Sequence, residues 1–533
     1  MRRLRMRDDQ GFTLVAVMGT MSILTVFLLA SLAYAMTNMA PNRKDQDSKA
    51  AMAAAQAGID DFVSRLNGND SYWVNNSSDK FAASGDTSNA AFAATGVSIP
   101  GTASGPVTYH YSVLSASTQT TQSGIIRLQS TGKSRNASRT LLAQLQPSGF
   151  LRYIYFTDIE ALDPALWNSS RTDCSRYYYV PPTPSRPGDC VEIQFTGGDE
   201  IKGPLHSNDA LQINGSTLFT DPKTETSWAD GASPAPAANH RWWGTGTPDS
   251  AGYKPIYQSP VVLPAANTEI QKYADPAKTD TEAPGCQYFG QTRIRFAGNQ
   301  MMVLSPGTTS SSTKARCYNY LTPNTEQTVA IPPVVYIQQL GSCSGSGIGY
   351  PAYGEVPMVV AGKSVYDCHN GDAFVQGTAT GQVTVATAND IVVTGDLKTT
   401  TNNLTGTDVI GLVANNYVWV YHPVNSSGTN LLPSASAVRE IDAAVLSVAH
   451  SFLVQNWAKG APLSNSSDDA TKLTVKGAIA QKYRGPVGTG YSDGTIASGY
   501  LKNYIYDPRL MTLPPPYFLK PVSAPWGVSK LSE

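Results

Sequence analysis

Six cysteines, six histidines and a scatter of turn carboxylates are the residues here with chemistry to offer. The cysteines are Cys174, Cys190, Cys286, Cys317, Cys343 and Cys368. None belongs to a CxxC pair, the spacing that zinc sites and thioredoxin-like dithiols use, so no metal site and no cofactor is expected. An even count, all beyond the N-terminal segment, suits disulfides in an exported chain. Short loops close most easily, so the expected pairing is sequential: Cys174–Cys190, Cys286–Cys317 and Cys343–Cys368. Six buried thiols are the alternative. The histidines are His110, His206, His240, His369, His422 and His450. No two stand at i,i+4 on a plausible helix, and HExxH is absent. His206 and Asp209 in HSND form the best polar cluster, read first as a turn histidine bonding its own loop. His369 adjoins Cys368, but a disulfide there removes the thiolate that a Cys/His nucleophile needs. GxSxG, P-loop and EF-hand patterns are absent. The carboxylates of GGDE (197–200) and YSDGT (491–495) read as turn formers. Polysaccharide cleavage would need two carboxyls across one groove. Asp199, Glu200, Asp209, Asp390 and Asp396 are the candidates, yet nothing in the sequence pairs them. No catalytic residue is assigned, and an enzyme is not the expectation. Aromatic runs favour binding instead: RYYYV (176–180), HRWW (240–243) and YVWVYH (417–422) combine rings with polar tips, as surfaces that grip glycans or proteins do. Alternation would bury one face of YVWVYH whatever its role.

These residues need a scaffold. At 533 residues, with about 150 per domain, two to four units are expected. Charged residues are only 15% and the net charge is −1, which lacks the positive field that draws in nucleic acid. Gly 45 and Pro 35 point to turn-rich β structure.

The chain begins MRRLRMRDDQGFTLVAVMG. Arg2, Arg3, Arg5 and Arg7 make a basic head, and Phe12 to Ala35 carries no charge. As a helix that run is about 36 Å long, enough to cross a bilayer. The arginines place its start in the cytoplasm and the rest outside. A cleaved secretory signal has a shorter apolar core, although Ser31-Leu32-Ala33 or Ala33-Tyr34-Ala35 would serve as its cleavage site. The stretch Gly11-Phe12-Thr13-Leu14-Val15 resembles the prepilin signal of type IV pilins and pseudopilins. The resemblance implies cleavage by the prepilin peptidase between Gly11 and Phe12, N-methylation of Phe12, and retention of the apolar helix. That helix is expected first in the membrane, then in a filament core among other pilin subunits and the assembly machinery. The family's fifth mature residue is usually Glu; here it is Ala16. Loss of that Glu is typical of the K-type pseudopilin at the filament tip, so a minor, tip-associated subunit is implied. A degenerate signal without positional meaning is the alternative.

Pro41 should kink or interrupt the helix. Beyond it, Met52, Ala55, Ile59, Phe62 and Leu66 recur at helical spacing and form one apolar stripe. Residues 67–100 read as a loop. VTYHYSVL, GIIRLQSTGKS and SRTLLAQLQP then alternate as three antiparallel strands. A helix followed by such a meander resembles the pilin architecture. The rest contains strand pairs split by Asn-, Asp- or Gly-bearing turns: VEIQF (191–195), ALQINGSTLF (210–219), QVTVATANDIVVTGDL (382–397), DVIGLVANNYVWVYH (408–422) and KLTVKGAIAQKY (472–483). AVREIDAAVLSVAHSFLVQNW (437–457) fits a helix face or strands, with strands preferred. GASPAPAANHRWWGTGTPDS (231–250) and 305–327 read as loops, and TLPPPYFLKPVSAPW (512–526) as a surface strap. DEIKGPLHSNDALQINGSTLF and QKYRGPVGTG resemble, more weakly, β-rich modules on large minor pilins. The fold class is α+β: leader 1–11, membrane and stalk helix 12–66, small antiparallel β domain 67–147, and a large β module 148–533. An irregular parallel β-solenoid is favoured for the module, with a β-sandwich as competitor. The expected function is a structural minor pilin or pseudopilin in assembly priming or adhesion. It would sit in the inner membrane before assembly and at the cell surface afterwards, with a glycan or surface-protein ligand and no nucleic acid. The alternative is a membrane-anchored extracellular enzyme or surface binding protein.

Overall fold

The computed structural model describes residues 10–69, 72–74, 89–100, 107–114, 126–147, 149–167, 172–178, 186–188, 190–196, 199–227, 242–248, 255–258, 260–309, 313–343, 347–361, 363–401, 406–465, 468–491, 495–511, 513–519 and 526–533. Two compact units emerge. Unit 1 takes Met1–Ser115, Ile126–Leu145 and Val528–Glu533; unit 2 takes Ala116–Ile125 and Gln146–Gly527.

Unit 1 begins with one helix, Gln10–Gly68. It runs through Pro41 without interruption. A proline deletes one hydrogen bond of the ladder, and here the turns on both sides carry the helix across that gap. Ala51, Ala55, Ile59, Phe62 and Leu66 are buried at intervals of three and four, one face of a helix. They pack on an antiparallel sheet of Val97–Ser98, Val107–Val113, Ile126–Ser134 and Ala137–Pro147. Gly132 allows the close approach: a Cβ there would lie 2.0 Å from the carbonyl oxygen of Ala51. Phe62 meets the rings of Tyr111 and Tyr72 edge-on at centroid distances of 5.3 and 5.5 Å. The strand Trp526–Ser532 joins this sheet beside Ala137–Pro147. Residues 528–533 belong to unit 1, because the free edge of Ala137–Pro147 offers unpaired backbone groups that a distant strand satisfies.

Unit 2 is built on ladders of parallel strands. In spatial order the longest ladder is Cys286–Phe289, Val334–Gln338, Gln382–Thr387, Val409–Ala414, Glu440–Ser447, Leu473–Tyr483, Tyr155–Ile159, Leu205–Ser207, Thr224–Thr226 and Ile256–Tyr257. Its register stacks Cys286, Val335, Val385, Leu412, Val445, Ile479, Tyr155 and Leu205 in one buried column. A second ladder stacks Ile294, Val375, Val393, Val420 and Val454 into the same core. Apolar columns hold register because a one-residue slip would turn every side chain to the other face.

The winding order is unusual. The chain enters mid-ladder at Tyr155–Ile159 and climbs to Ile256–Tyr257. It then crosses to the opposite end at Cys286–Phe289 and winds back until Leu473–Tyr483 pairs with the entry strand. The crossing covers about 43 Å at ~4.8 Å per strand. Its segment lies on the ladder's outer apolar face. Ile270 and Ala274 are buried there with Val413, Leu446 and Phe156, and Asn267 donates to the carbonyls of Thr387 and Val413 at 2.7 and 3.0 Å. The described part of the proline-rich strap covers the same face, with Phe518 6% exposed and Thr384 donating to the Pro516 carbonyl.

The 437–457 segment is strand, Glu440–Ser447 and Phe452–Val454. VEIQF is shorter than expected: Glu192 forms an isolated bridge to Ala161, and the strand is Phe195–Thr196. The expected loop 231–250 contains the two-residue strands Trp242–Trp243 and Thr247–Pro248, which pair with Leu211–Gln212 and Ser216–Thr217; residues 231–241 and 249–250 of it lie outside the described residues. Disulfides join Cys174 to Cys190, Cys286 to Cys317 and Cys343 to Cys368.

Candidate functional site

The first half of the helix is the segment most in need of a partner. Leu14–Tyr34 is long and apolar enough to cross a membrane, and every residue of it is exposed. Leu24 is 62% and Phe27 72% exposed. Each large apolar side chain left in water forgoes roughly 1.5–3 kcal/mol. The hydroxyls within the span do not demand water either. Thr20, Ser22, Thr25 and Ser31 donate to the carbonyls of Val17, Met18, Met21 and Leu28 at 2.6–3.0 Å, which suits an apolar surrounding. Gly11 and Phe12 stand in the first turn, and Ala16 lies exposed one turn on. Residues 1–9 of the expected leader lie outside the described residues.

The five candidate carboxylates of unit 2 are all committed to partners. Asp209 closes a turn, accepting the N–H groups of Glu160 (3.0 Å), Tyr178 (2.7 Å) and Ala210 (2.8 Å) and pairing with buried Arg186, which also holds Glu192 at 2.6 Å. Asp199 takes Lys502 at 2.7 Å. Glu200 sits between Lys202 (2.7 Å) and Lys472 (3.4 Å); the Lys202 hydrogen bond leads in holding its carboxyl below the usual range. Asp396 accepts the N–H groups of Arg439 and Glu440 at 2.7 and 3.1 Å and pairs with Lys398 at 2.8 Å. Burial works to raise its pKa, and those donors outweigh it, leaving the carboxyl below its ordinary value. Asp390 accepts the Tyr417 N–H and the Trp419 indole N–H, both at 2.9 Å, and burial pushes it up to about 6. It belongs to a ladder of turn side chains: Asp372 accepts from Asn389 at 2.7 Å, and Asn416 donates to Asn389 at 2.6 Å. Asp209, Asp372 and Asp390 close turns between stacked strands, whereas Glu200 and Asp396 lie within strands.

His206 bonds its own turn, as the HSND spacing suggests: Nε2 faces Asn208 Oδ1 at 2.9 Å. Ser227 Oγ lies 3.1 Å from the same nitrogen, and Glu225 lies 3.4 Å from Nδ1. The arrangement copies the types of a Ser-His-Glu triad. Its chemistry differs, because Asn208 Oδ1 also accepts the Val261 N–H at 2.9 Å. That oxygen therefore takes a proton from Nε2, and no lone pair remains there to activate Ser227. All of these groups are buried. Burial opposes ionisation of Glu225, but the contact with His206 and the hydrogen bond from the Tyr153 hydroxyl hold it below its ordinary pKa. His450 and Asp163, 287 residues apart, face each other at 2.5 Å, and no spacing pattern could have paired them.

The aromatic runs divide. In YVWVYH, Tyr417, Trp419 and Tyr421 are buried, with their polar tips on Asp163, Asp390 and Glu355. Tyr178 stacks on Trp243 at 4.4 Å, half-buried. Residues 179–180 and 240–241 of the other two runs, with 197–198 of GGDE and 492–494 of YSDGT, lie outside the described residues. Exposed rings occur where no run marks them, at Tyr353 and Trp167.

No family model and no curated protein matches the chain. Among solved structures it is similar to the competence-associated pilin ComZ from Thermus thermophilus, at 13% identity over 91% of this chain and 97% of that one, with a TM-score of 0.31.

Proposed function

We propose that this chain is a minor pilin- or pseudopilin-like structural subunit of a type IV-like filament, whose ladder-built module is displayed outside the cell. One observation carries the proposal: a single helix whose first half buries nothing and whose second half is packed against a sheet. A packed stalk cannot follow the first half into a bilayer, so the helix suits a subunit held by its tip in the membrane and later among like helices. Processing between Gly11 and Phe12 by a prepilin peptidase, with methylation at Phe12, belongs to the same reading. Three disulfides support an extracytoplasmic module. The parallel ladders, with apolar columns in register, support an irregular β-solenoid over a sandwich. Partners are other pilin subunits and the assembly machinery, and a glycan or protein surface is the ligand of the displayed module.

Mass spectrometry of the N-terminus tests this. A chain beginning with methylated Phe12 is expected; one beginning beyond Ala35, or an intact Met1, would overturn it. Ala16 carries the tip assignment. A carboxylate at this position in the filament core would pair with the N-terminal amine of a neighbouring subunit, and Ala16 has no carboxylate to make that pair. Ala16→Glu is expected to spread the subunit along filaments in immunogold images, and an unchanged distribution would remove the tip role.

A further inference from the structure

The three disulfides differ in access. Cys286 and Cys317 are 1% and 0% exposed and Cys174 and Cys190 are 6% and 9%, whereas Cys343 and Cys368 are only half-buried. Beside the accessible pair stand half-buried Asp367 and exposed His369, with Asp367 Oδ1 2.7 Å from His369 Nδ1. One ligand atom from each of Cys343, Asp367, Cys368 and His369 falls within 4.8 Å of the other three. Gly341 nearby has open space where a Cβ would stand.

We propose that reduction of Cys343–Cys368 uncovers a metal site in which two thiolates, a His369 ring nitrogen and a carboxylate oxygen of Asp367 hold a zinc-class divalent cation. A tetrahedral zinc site uses such a set, at about 2.3 Å to sulfur and 2.0–2.2 Å to nitrogen and oxygen. In such a site the ligand atoms stand about 3.3–3.8 Å apart, against at most 4.8 Å here. The balance is simple. A dithiol reductant gives two electrons and two protons to the S–S bond and leaves as its own disulfide; the cation then displaces both thiol protons.

The backbone survives that cut. Leu340 N–H donates to the His369 carbonyl at 2.9 Å, so the two cysteine segments stay adjacent without the bond between them. Within the loop, Glu355 accepts from Tyr366, Tyr421 and the Ala352 N–H at 2.5, 2.7 and 2.8 Å. The absence of a CxxC spacing hides the site from sequence: two ligands are contributed by neighbours of Cys368 and one from across the loop.

The test uses the full-length chain in detergent. It is reduced with a dithiol, freed of reductant, and titrated with Zn²⁺ and with Co²⁺ as a spectroscopic probe. One metal per chain is expected, with thiolate-to-cobalt charge-transfer absorption, and none in the oxidised chain. His369→Gln and Asp367→Asn leave the disulfide in place and should weaken binding by about tenfold or more. Cys343→Ser with Cys368→Ser should abolish it. Four results would each overturn the proposal: no metal on the reduced chain, equal binding by His369→Gln, reduction of another pair first by peptide mapping, or loss of the fold on reduction by circular dichroism.

Discussion

One helix carries two surfaces with opposite needs. From Leu14 to Tyr34 its side chains are exposed on every side, and hydroxyls turn back onto the helix. From Ala51 to Leu66 one stripe is buried, and the opposite side is polar. The first half is apolar all round, so no single protein face could cover it. The second half is apolar on one face and finds its cover in unit 1. Among the described residues nothing covers the first half, whereas the second is covered by the sheet of unit 1.

Breaking the packed half should have the largest effect. Phe62 fills the contact with Tyr111, Tyr72 and Phe92. Phe62→Ala should cost about 3–5 kcal/mol. Amide exchange in Ile126–Ser134 would then quicken by about 10²–10⁴-fold where it follows opening of the unit. Membrane association should not change. The converse is Leu24→Arg, a charge near the middle of the exposed half. It should cost about 2.5–3.5 kcal/mol of membrane insertion and move much of the chain to the soluble fraction, with exchange in the sheet unaltered. Should either substitution disturb both readouts equally, the two halves are not independent and the comparison falls.

Gly132→Ala sharpens it at smaller scale. The new Cβ would lie 2.0 Å from the Ala51 carbonyl oxygen and 2.5 Å from the Ala55 nitrogen, both backbone atoms, so helix or strand must move. A loss of about 1–3 kcal/mol is expected, read by the same exchange. No loss would mean the helix is held less closely than these distances require.

Both characters of the helix are legible in the sequence, because uncharged length and a three-four spacing are local patterns. So are the strand pairs with Asn or Asp at the turn, since Asn389, Asp390 and Asn416 sit where a chain must reverse between ladders. The HSND turn is legible for the same reason: the contact of His206 with Asn208 spans only two residues. Other features resist such reading. The course of the helix through Pro41 depends on the turns on both sides. The return of Trp526–Ser532 to the first sheet joins residues nearly 400 apart, about which no local pattern speaks. The order of the ladder is also hidden. Val335, Val385, Leu412 and Val445 are interchangeable as apolar rungs, and only the closure of Ile479 onto Tyr155 fixes where winding ends. The carboxylates show their type but not their partners: Asp199 meets a lysine 303 residues away.

The smallest effect is expected at the polar rim of the packed half. Asp61 holds Arg65 at 3.0 Å one turn along and accepts the Tyr111 hydroxyl at 2.9 Å. Their side chains are 25% and 37% exposed, so water screens the pair, and such i,i+4 pairs contribute about 0.3–0.5 kcal/mol. Asp61→Asn keeps an acceptor for Tyr111 and removes only the charge. The expected loss is about 0.5 kcal/mol, roughly a twofold change in exchange, and it should vanish near ~1 M salt, where exposed charges are screened within about 3 Å. A loss as large as that of Phe62→Ala, persisting in salt, would mean that polar contacts rather than the buried rings hold this half. The physical distinction between the two surfaces would then rest on charge and not on burial.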